Sequence, residues 1–196
     1  MVGLSERYLV RRLRRGEREA CRELIARHHK SVYAFLRHRG ADPDLAEDLT
    51  QETYAKAWRY ITTLRRSTSL RSWLLTIARN EFLQWVRAHD PECETTGTLP
   101  DGRDGAPDPQ SAYLLTERQR ALRRAVNRLQ PELRETVALH YFHDLSLREC
   151  GSVLGLPAGT VKSRVHRALG CLRGLLEGKE AEHETRRIGK ALAHDS

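Results

Sequence analysis

Residues 146–167, SLRECGSVLGLPAGTVKSRVHR, admit few folds. Ser146 and Glu149 stand at capping-box spacing, where each side chain can satisfy a free backbone N–H at a helix start. Leu147, Cys150, Val153 and Leu154 then repeat at helical spacing. Gly155 suits the left-handed residue that ends a helix, and Pro157 stands where the next one opens. On that second helix Val161, Val165, Ala168, Leu169 and Leu172 share one face. At about 100° per residue, Ser163, His166 and Arg167 point the other way, flanked by Lys162 and Arg164. Two short helices, a tight turn and a basic outer face match a helix-turn-helix whose second helix is shaped for a DNA major groove. The same pattern also fits an ordinary helical hairpin with a solvated basic face.

Charge is segregated along the 196 residues. The chain as a whole carries +8, a balance that suits a polyanionic partner. Residues 1–89 carry net +8, residues 90–116 net −5, residues 117–176 net +6 and the tail 177–196 net −1. Two basic blocks therefore flank an acidic connector. Residues 90–109 also hold four of the seven prolines and almost no apolar periodicity, the composition of an extended or disordered linker. The expectation is an all-α protein of two small helical domains, an N-terminal bundle over 1–89 and a helix-turn-helix domain over 113–176. A flexible acidic linker over 90–112 joins them, and a charged tail over 177–196 is expected to fray. Gly170 and Gly174 lie inside the last helix and each cost about 1 kcal/mol relative to alanine, which favours early fraying.

The N-terminal block is helical throughout. Ser5 can cap a short helix that stops near Gly16, and a second stripe (Cys21, Leu24, Ile25, His28, Val32, Phe35, Leu36) stops at Gly40. Asp42-Pro43-Asp44 is a strong helix start, with a capping carboxylate, a first-turn proline and a second carboxylate at the positive end of the dipole. In that third helix Ala46, Leu49, Thr53, Ala57 and Tyr60 form a stripe widened by Leu45, Tyr54, Trp58 and Ile61. The other side carries Asp44, Glu47, Asp48, Gln51 and Glu52. Carboxylates repel phosphates, so this face is either solvated or a dock for a basic protein. A polar break at residues 65–69 precedes a fourth helix, from about Leu70 to Ala88, that is apolar nearly all round and therefore central to a core.

Several function classes lose support. No stretch approaches the roughly 20 apolar residues of a membrane span, and no signal peptide is legible. Cys21, Cys93, Cys150 and Cys171 are scattered, which favours a reducing cytoplasm over a disulfide framework. His28 and His29 diverge on a helix, no C-x-x-C or H-x-x-x-H spacing supports a zinc site, and Cys150 lies on a packed face. No Ser/His/Asp arrangement is legible. No catalytic residue, cofactor or metal is expected.

The motifs AEDLTQETYAKAW, SLRSWLLTIARN and LSLRECGSVLGLPAGTVKSRVHRAL, in this order, resemble bacterial RNA polymerase sigma factors of the short, two-domain extracytoplasmic-function (ECF) group. The resemblance covers about residues 8–89 and 113–176. It implies a cytoplasmic, non-enzymatic specificity subunit with two partners, core RNA polymerase and promoter DNA. Asp48, Gln51 and Glu52 would meet the clamp helices of the largest polymerase subunit, with further contact to the β subunit. Arg65, Arg66, Ser67, Thr68 and Asn80, with Arg79 as a lesser candidate, would hold the −10 element as a single strand. Lys162, Ser163, Arg164, His166 and Arg167 would read the −35 duplex, Ser163, His166 and Arg167 at base edges and Lys162 and Arg164 at phosphates. The resemblance also leaves room for an inhibitory anti-sigma protein. Leu64 and Leu70 stand where the family usually has phenylalanine, and Gln84 where it often has aspartate, so the base preference of the −10 loop is open. The rival reading is a helix-turn-helix regulator that binds an operator without polymerase.

Overall fold

The computed structural model describes residues 4–65, 69–89 and 117–192, and the regular structure there is helical. In the first unit α1 spans Leu4–Arg14, α2 Arg18–His38, α3 Pro43–Tyr60 and α4 Leu70–His89. Local chemistry sets these boundaries. Gly16 and Gly40 follow α1 and α2 with φ of +76° and +96°, a conformation that side chains with a Cβ adopt only at a cost. Asp42 caps α3 by accepting a 2.9 Å hydrogen bond from the Leu45 N–H, with Pro43 in the first turn.

Helix α4 is the centre of this unit, as its all-round apolar character requires. Leu70, Leu74, Leu75, Ala78, Phe82 and Val86 are buried, and α2 and α3 both pack on it. Thr50 and Thr53 lie fully inside α3's packed face. Their hydroxyls donate to the Ala46 and Leu49 carbonyls, each at 2.7 Å, so these two buried donors are satisfied.

In the second unit α5 spans Glu117–Asn127 and α6 Pro131–Val137, followed by a wide π-helical turn, Ala138–Phe142. Then come α7, Leu147–Leu154, and α8, Ala158–Leu192. Ala125, Val126, Leu129, Leu133, Val137, Ala168 and Leu172 form a small core among α5, α6 and α8.

The units are in contact. Leu139, Leu145, Cys150, Val153, Leu154, Val161 and Val165 belong to the same continuous buried cluster as the N-terminal helices, with α7 packed on α4 as well as on α8. Helix periodicity carries no information about which face of one unit meets the other, so this contact was not foreseeable from the sequence.

Three side chains depart from their expected faces. Tyr60 is exposed, because the chain tightens into a 3-10 turn at Ile61–Thr63 and Ile61 takes the core position instead. Trp58 and Leu169 are also exposed; on either side of Leu169, Ala168 and Leu172 cover the face on which α5 and α6 pack. Instead of fraying after Leu176, α8 runs on to Leu192. The stretch after Leu176 contains no proline and is rich in Glu, Lys, Arg and Ala, which favour helix strongly enough to carry it past Gly170 and Gly174. The linker and Cys93 lie outside the described residues.

Candidate functional site

Helix α7 and the first turns of α8 form a complete helix-turn-helix. Ser146 Oγ accepts from the Glu149 N–H at 3.3 Å, and a Glu149 carboxylate oxygen accepts from the Ser146 N–H at 2.8 Å, so both halves of the capping box are made. Burial pushes the Glu149 carboxyl up, but hydrogen bonds it accepts from the Ser146 hydroxyl and N–H, and from the Ser69 hydroxyl, hold it below its usual range. Gly155 ends α7 with φ +70°. Gly151 was not singled out by the sequence pattern, yet a Cβ there would lie 2.5 Å from the Leu156 carbonyl oxygen. The close approach of turn to helix requires glycine at that place.

Val161, Val165, Ala168 and Leu172 anchor the inner face of α8, and Lys162, Ser163, His166 and Arg167 are exposed on its outer face. Ser163 Oγ donates to the Thr160 carbonyl at 2.9 Å, which leaves its lone pairs facing out. Arg164 differs from the rest. It is half-buried and pairs with Glu132 of α6 at 2.9 Å, so this candidate phosphate contact already holds a carboxylate. Cys150 lies fully inside the junction; burial and the neighbouring Glu149 push its thiol up to about 11, as suits a packed rather than reactive side chain.

On α3, Asp48, Gln51 and Glu52 are exposed together. Glu47 beside them is half-buried and lies 3.5 Å from His29. A 2.5 Å Lys56–Glu81 ion pair ties the flank of α3 to α4, so the acidic face rides on a firmly held helix.

The candidate −10 residues are only partly brought together. Arg65 is exposed, Asn80 is exposed on α4, and Arg66, Ser67 and Thr68 lie outside the described residues. Ten residues at 1.5 Å each place Asn80 about 15 Å along α4 from Leu70, so only an extended strand could reach both ends. Leu64 and Leu70 are buried at the two flanks. Helix α1 holds both flanks. The Arg14 guanidinium donates to the Leu64 carbonyl at 2.5 Å, and the Glu6 carboxylate accepts from the Leu70 N–H at 2.7 Å. Sequence reading missed these residues because their partners lie 50 and 64 positions away.

Arg79 is not presented on this face. Its Nε donates to Glu135 of α6 at 3.1 Å, and the same carboxylate oxygen accepts from Arg39. Among the described residues no group of three or more His, Cys, Asp or Glu is placed to hold a metal ion. Nor is any helix there long and apolar enough to cross a membrane.

Comparison with known proteins adds to this geometry. The sigma-70 region 2 family model matches residues 24–92 and the sigma-70 region 4 model residues 119–172. The ECF RNA polymerase sigma factor RpoE of Cereibacter sphaeroides is 34 % identical, over 84 % of this chain and 91 % of that protein. The ECF sigma factor BldN of Streptomyces coelicolor is also 34 % identical, over 86 % of this chain, which spans 64 % of BldN's length. Among solved structures, the sigma factor RpoE of Bartonella quintana in complex with the anti-sigma factor NepR is 29 % identical. It superposes with a TM-score of 0.62, over 80 % of this chain and 96 % of that one. CnrH, in complex with the cytosolic domain of CnrY, shares the fold at 23 % identity, with a TM-score of 0.65 over 88 % of this chain and 97 % of that one.

Proposed function

Because this chain belongs to the sigma-70 family of RNA polymerase sigma factors, within its ECF group, we propose that it binds core RNA polymerase and directs promoter-specific initiation. The observation that carries this reading is the separation of exposed charge by sign. Asp48, Gln51 and Glu52 stand on α3, while Lys162, Ser163, His166 and Arg167 stand on α8. A carboxylate face is unsuited to phosphates and suited to a basic protein surface; an exposed basic helix over a capped turn suits a duplex.

In this reading Asp48, Gln51 and Glu52 dock on the polymerase clamp helices, with the β subunit touching the second unit. Arg65 and Asn80, together with Arg66, Ser67 and Thr68, take the −10 strand. Ser163, His166 and Arg167 read −35 base edges, and Lys162 holds phosphate. Arg164 reaches phosphate only by giving up Glu132. The chain then acts in the cytoplasm without chemistry of its own, as a subunit that leaves catalysis to polymerase. Glu6 and Arg14 support the −10 reading by pinning both flanks of the segment. An anti-sigma protein is a further proposed partner, supported by the anti-sigma complex of the Bartonella relative.

The alternative, a regulator that binds an operator by itself, predicts a different biochemistry. Purified chain is mixed with core polymerase and passed over a sizing column. Co-elution with polymerase, and specific binding to promoter fragments only in its presence, support the sigma reading. A chain that elutes apart from polymerase and binds duplex alone with full specificity refutes it.

A further inference from the structure

Helix α1 carries a charge imbalance that neither the −10 nor the −35 assignment uses. At about 100° per residue, Arg14, Arg7, Arg11, Arg15 (just past its end) and Tyr8 follow one another around about a third of its surface. All five are exposed. They stand opposite Leu9 and Leu13, which are buried. Neighbouring arginines are matched: Arg12 pairs with Glu17 at 2.7 Å and Glu23 at 2.8 Å, Arg22 with Glu19, and Arg27 with Glu23. Among the described residues no carboxylate pairs with Arg7, Arg11 or Arg15. This ridge does nothing for the helix itself. Arg7 and Arg11, and Arg11 and Arg15, are four residues apart, a spacing at which like charges are destabilising. The dipole favours Arg14 and Arg15 at the C-terminal end but gives nothing to Arg7 near the other. The Tyr8 ring, 55 % exposed, lies under the Arg11 and Arg12 guanidiniums at 5.4 and 5.6 Å. It holds Arg11 in place, so less side-chain freedom is lost when that arginine meets a partner.

The position of α1 gives the ridge a partner. Arg14 donates to the Leu64 carbonyl and Glu6 accepts from the Leu70 N–H, so α1 is fastened to both flanks of the candidate −10 segment. Arg14 belongs both to that fastening and to the ridge, which therefore begins at the segment. From Arg15 to Arg7 it runs about 12 Å along the helix, at 1.5 Å per residue. The sigma-70 region 2 match begins at residue 24, after α1 has ended, and does not account for it. A lipid surface fits poorly. Amphipathic helices enter lipid through their apolar face, and here Leu9 and Leu13 are spent on the core. A row of unpaired arginines along one groove edge suits the phosphates of a single strand.

We propose that Arg7, Arg11 and Arg15 bind phosphates of the promoter strand adjoining the −10 element, so that α1 prolongs the single-strand site beyond the segment it pins. The inference rests on the sigma-factor reading for the identity of the strand. Contacts to phosphate position a strand without reading its bases. The ridge therefore adds affinity and salt dependence, and no sequence preference.

The complex of full chain and core polymerase is titrated with labelled DNA over a range of salt, with polymerase alone as the baseline. The probes are a selected −10 single strand, the same strand extended at both ends with oligothymidine, and the extended strand with its extensions annealed to oligodeoxyadenosine. The triple variant Arg7→Gln/Arg11→Gln/Arg15→Gln should bind the short strand as wild type does. On the extended strand its salt slope should be shallower by about 2, at about 0.7 per phosphate contact. Arginine-to-lysine changes at the same three positions keep the charge and should keep the wild-type slope. Equal slopes for wild type and the glutamine variant on the extended strand overturn the proposal, as does a difference seen only with duplex extensions. A glutamine variant that loses co-elution with polymerase while its DNA slope is unchanged assigns the ridge to an acidic protein surface, and also overturns it. If the triple variant loses helicity, Arg11→Gln alone decides: a slope lower by about 0.7 supports the ridge, and an unchanged slope refutes it. If no form distinguishes the selected −10 strand from a scrambled one, yet the glutamine variant still lowers the slope, the ridge stands and the −10 reading falls. If no form binds single strands, both fall.

Discussion

Arginine and glutamate do opposite work in two regions of this molecule. On the outer faces of α3 and α8, Glu52 and Arg167 stand exposed on separate helices, at the disposal of a partner. At the junction of the units, Arg39 and Glu135 are buried on one another, with Arg79 sharing the same carboxylate oxygen. The residue types are the same, and burial decides whether the charge is available. Exposed charge in water costs nothing to keep and can be given to a partner. Charge at the junction has lost its water and depends on its partner to remain in place.

The largest test of this contrast lies on α3. Reversing Asp48 and Glu52 together to lysine should abolish pull-down of core polymerase while helicity by circular dichroism is unaltered, because both side chains are exposed. Undiminished pull-down would remove the acidic face from the account. Next in size is Arg167→Ala. Loss of a bidentate base contact should cost about 1–3 kcal/mol of discrimination, read as the ratio of affinities for intact and scrambled −35 duplexes. An unchanged ratio would reassign Arg167 to a bystander role.

A finer comparison sets two neighbours on α8 against each other. Lys162 is exposed, whereas Arg164 is held by Glu132. Lys162→Ala should lower the salt slope of duplex binding by about one unit. Arg164→Ala should lower it by less, since binding through Arg164 first requires breaking an ion pair. Equal slopes for the two variants would show that the Glu132 pair does not persist in solution.

The smallest effect is expected from pH. His143 is buried in the junction, packed edge-on against Phe35 and His38. Burial, reinforced by His38 and Arg71, pushes its pKa down to about 4. His38 is lowered too, by burial and by Arg123 and Arg37. A histidine kept neutral in the fold takes up its proton more readily once unfolded, whose ordinary value is near 6.5. Stability should therefore fall as pH drops from about 6.5 toward 4. Urea midpoints at pH 7.5 and 5.5 check the sign, and a higher midpoint at the lower pH would contradict it.

What was legible in the sequence was local. The Asp42 cap, the Ser146–Glu149 box, and the stops at Gly40 and Gly155 each involve residues a few positions apart, and all four are present. The inner face of α8 followed from helical periodicity, because a side chain's burial on a helix repeats every turn or so, and the central place of α4 from its all-round apolar character. What was missed depends on the path of the chain between distant residues. Arg39 gives no sign in the sequence that Glu135 awaits it, nor Glu6 that it will cap α4. Gly151 is one glycine among 13 until Leu156 is seen to cross it. Tyr60 faced outward because a change of helix pitch, invisible to a fixed 100° projection, handed its place to Ile61.

Run-off transcription with purified core polymerase tests the central claim most directly, on a template whose −10 and −35 elements have been selected by binding to the chain–polymerase complex. The account predicts a discrete transcript that requires the chain, both elements, and an intact acidic face on α3. A transcript of equal yield without the chain, or one indifferent to loss of the −35 element and to charge reversal at Asp48 and Glu52, would contradict it.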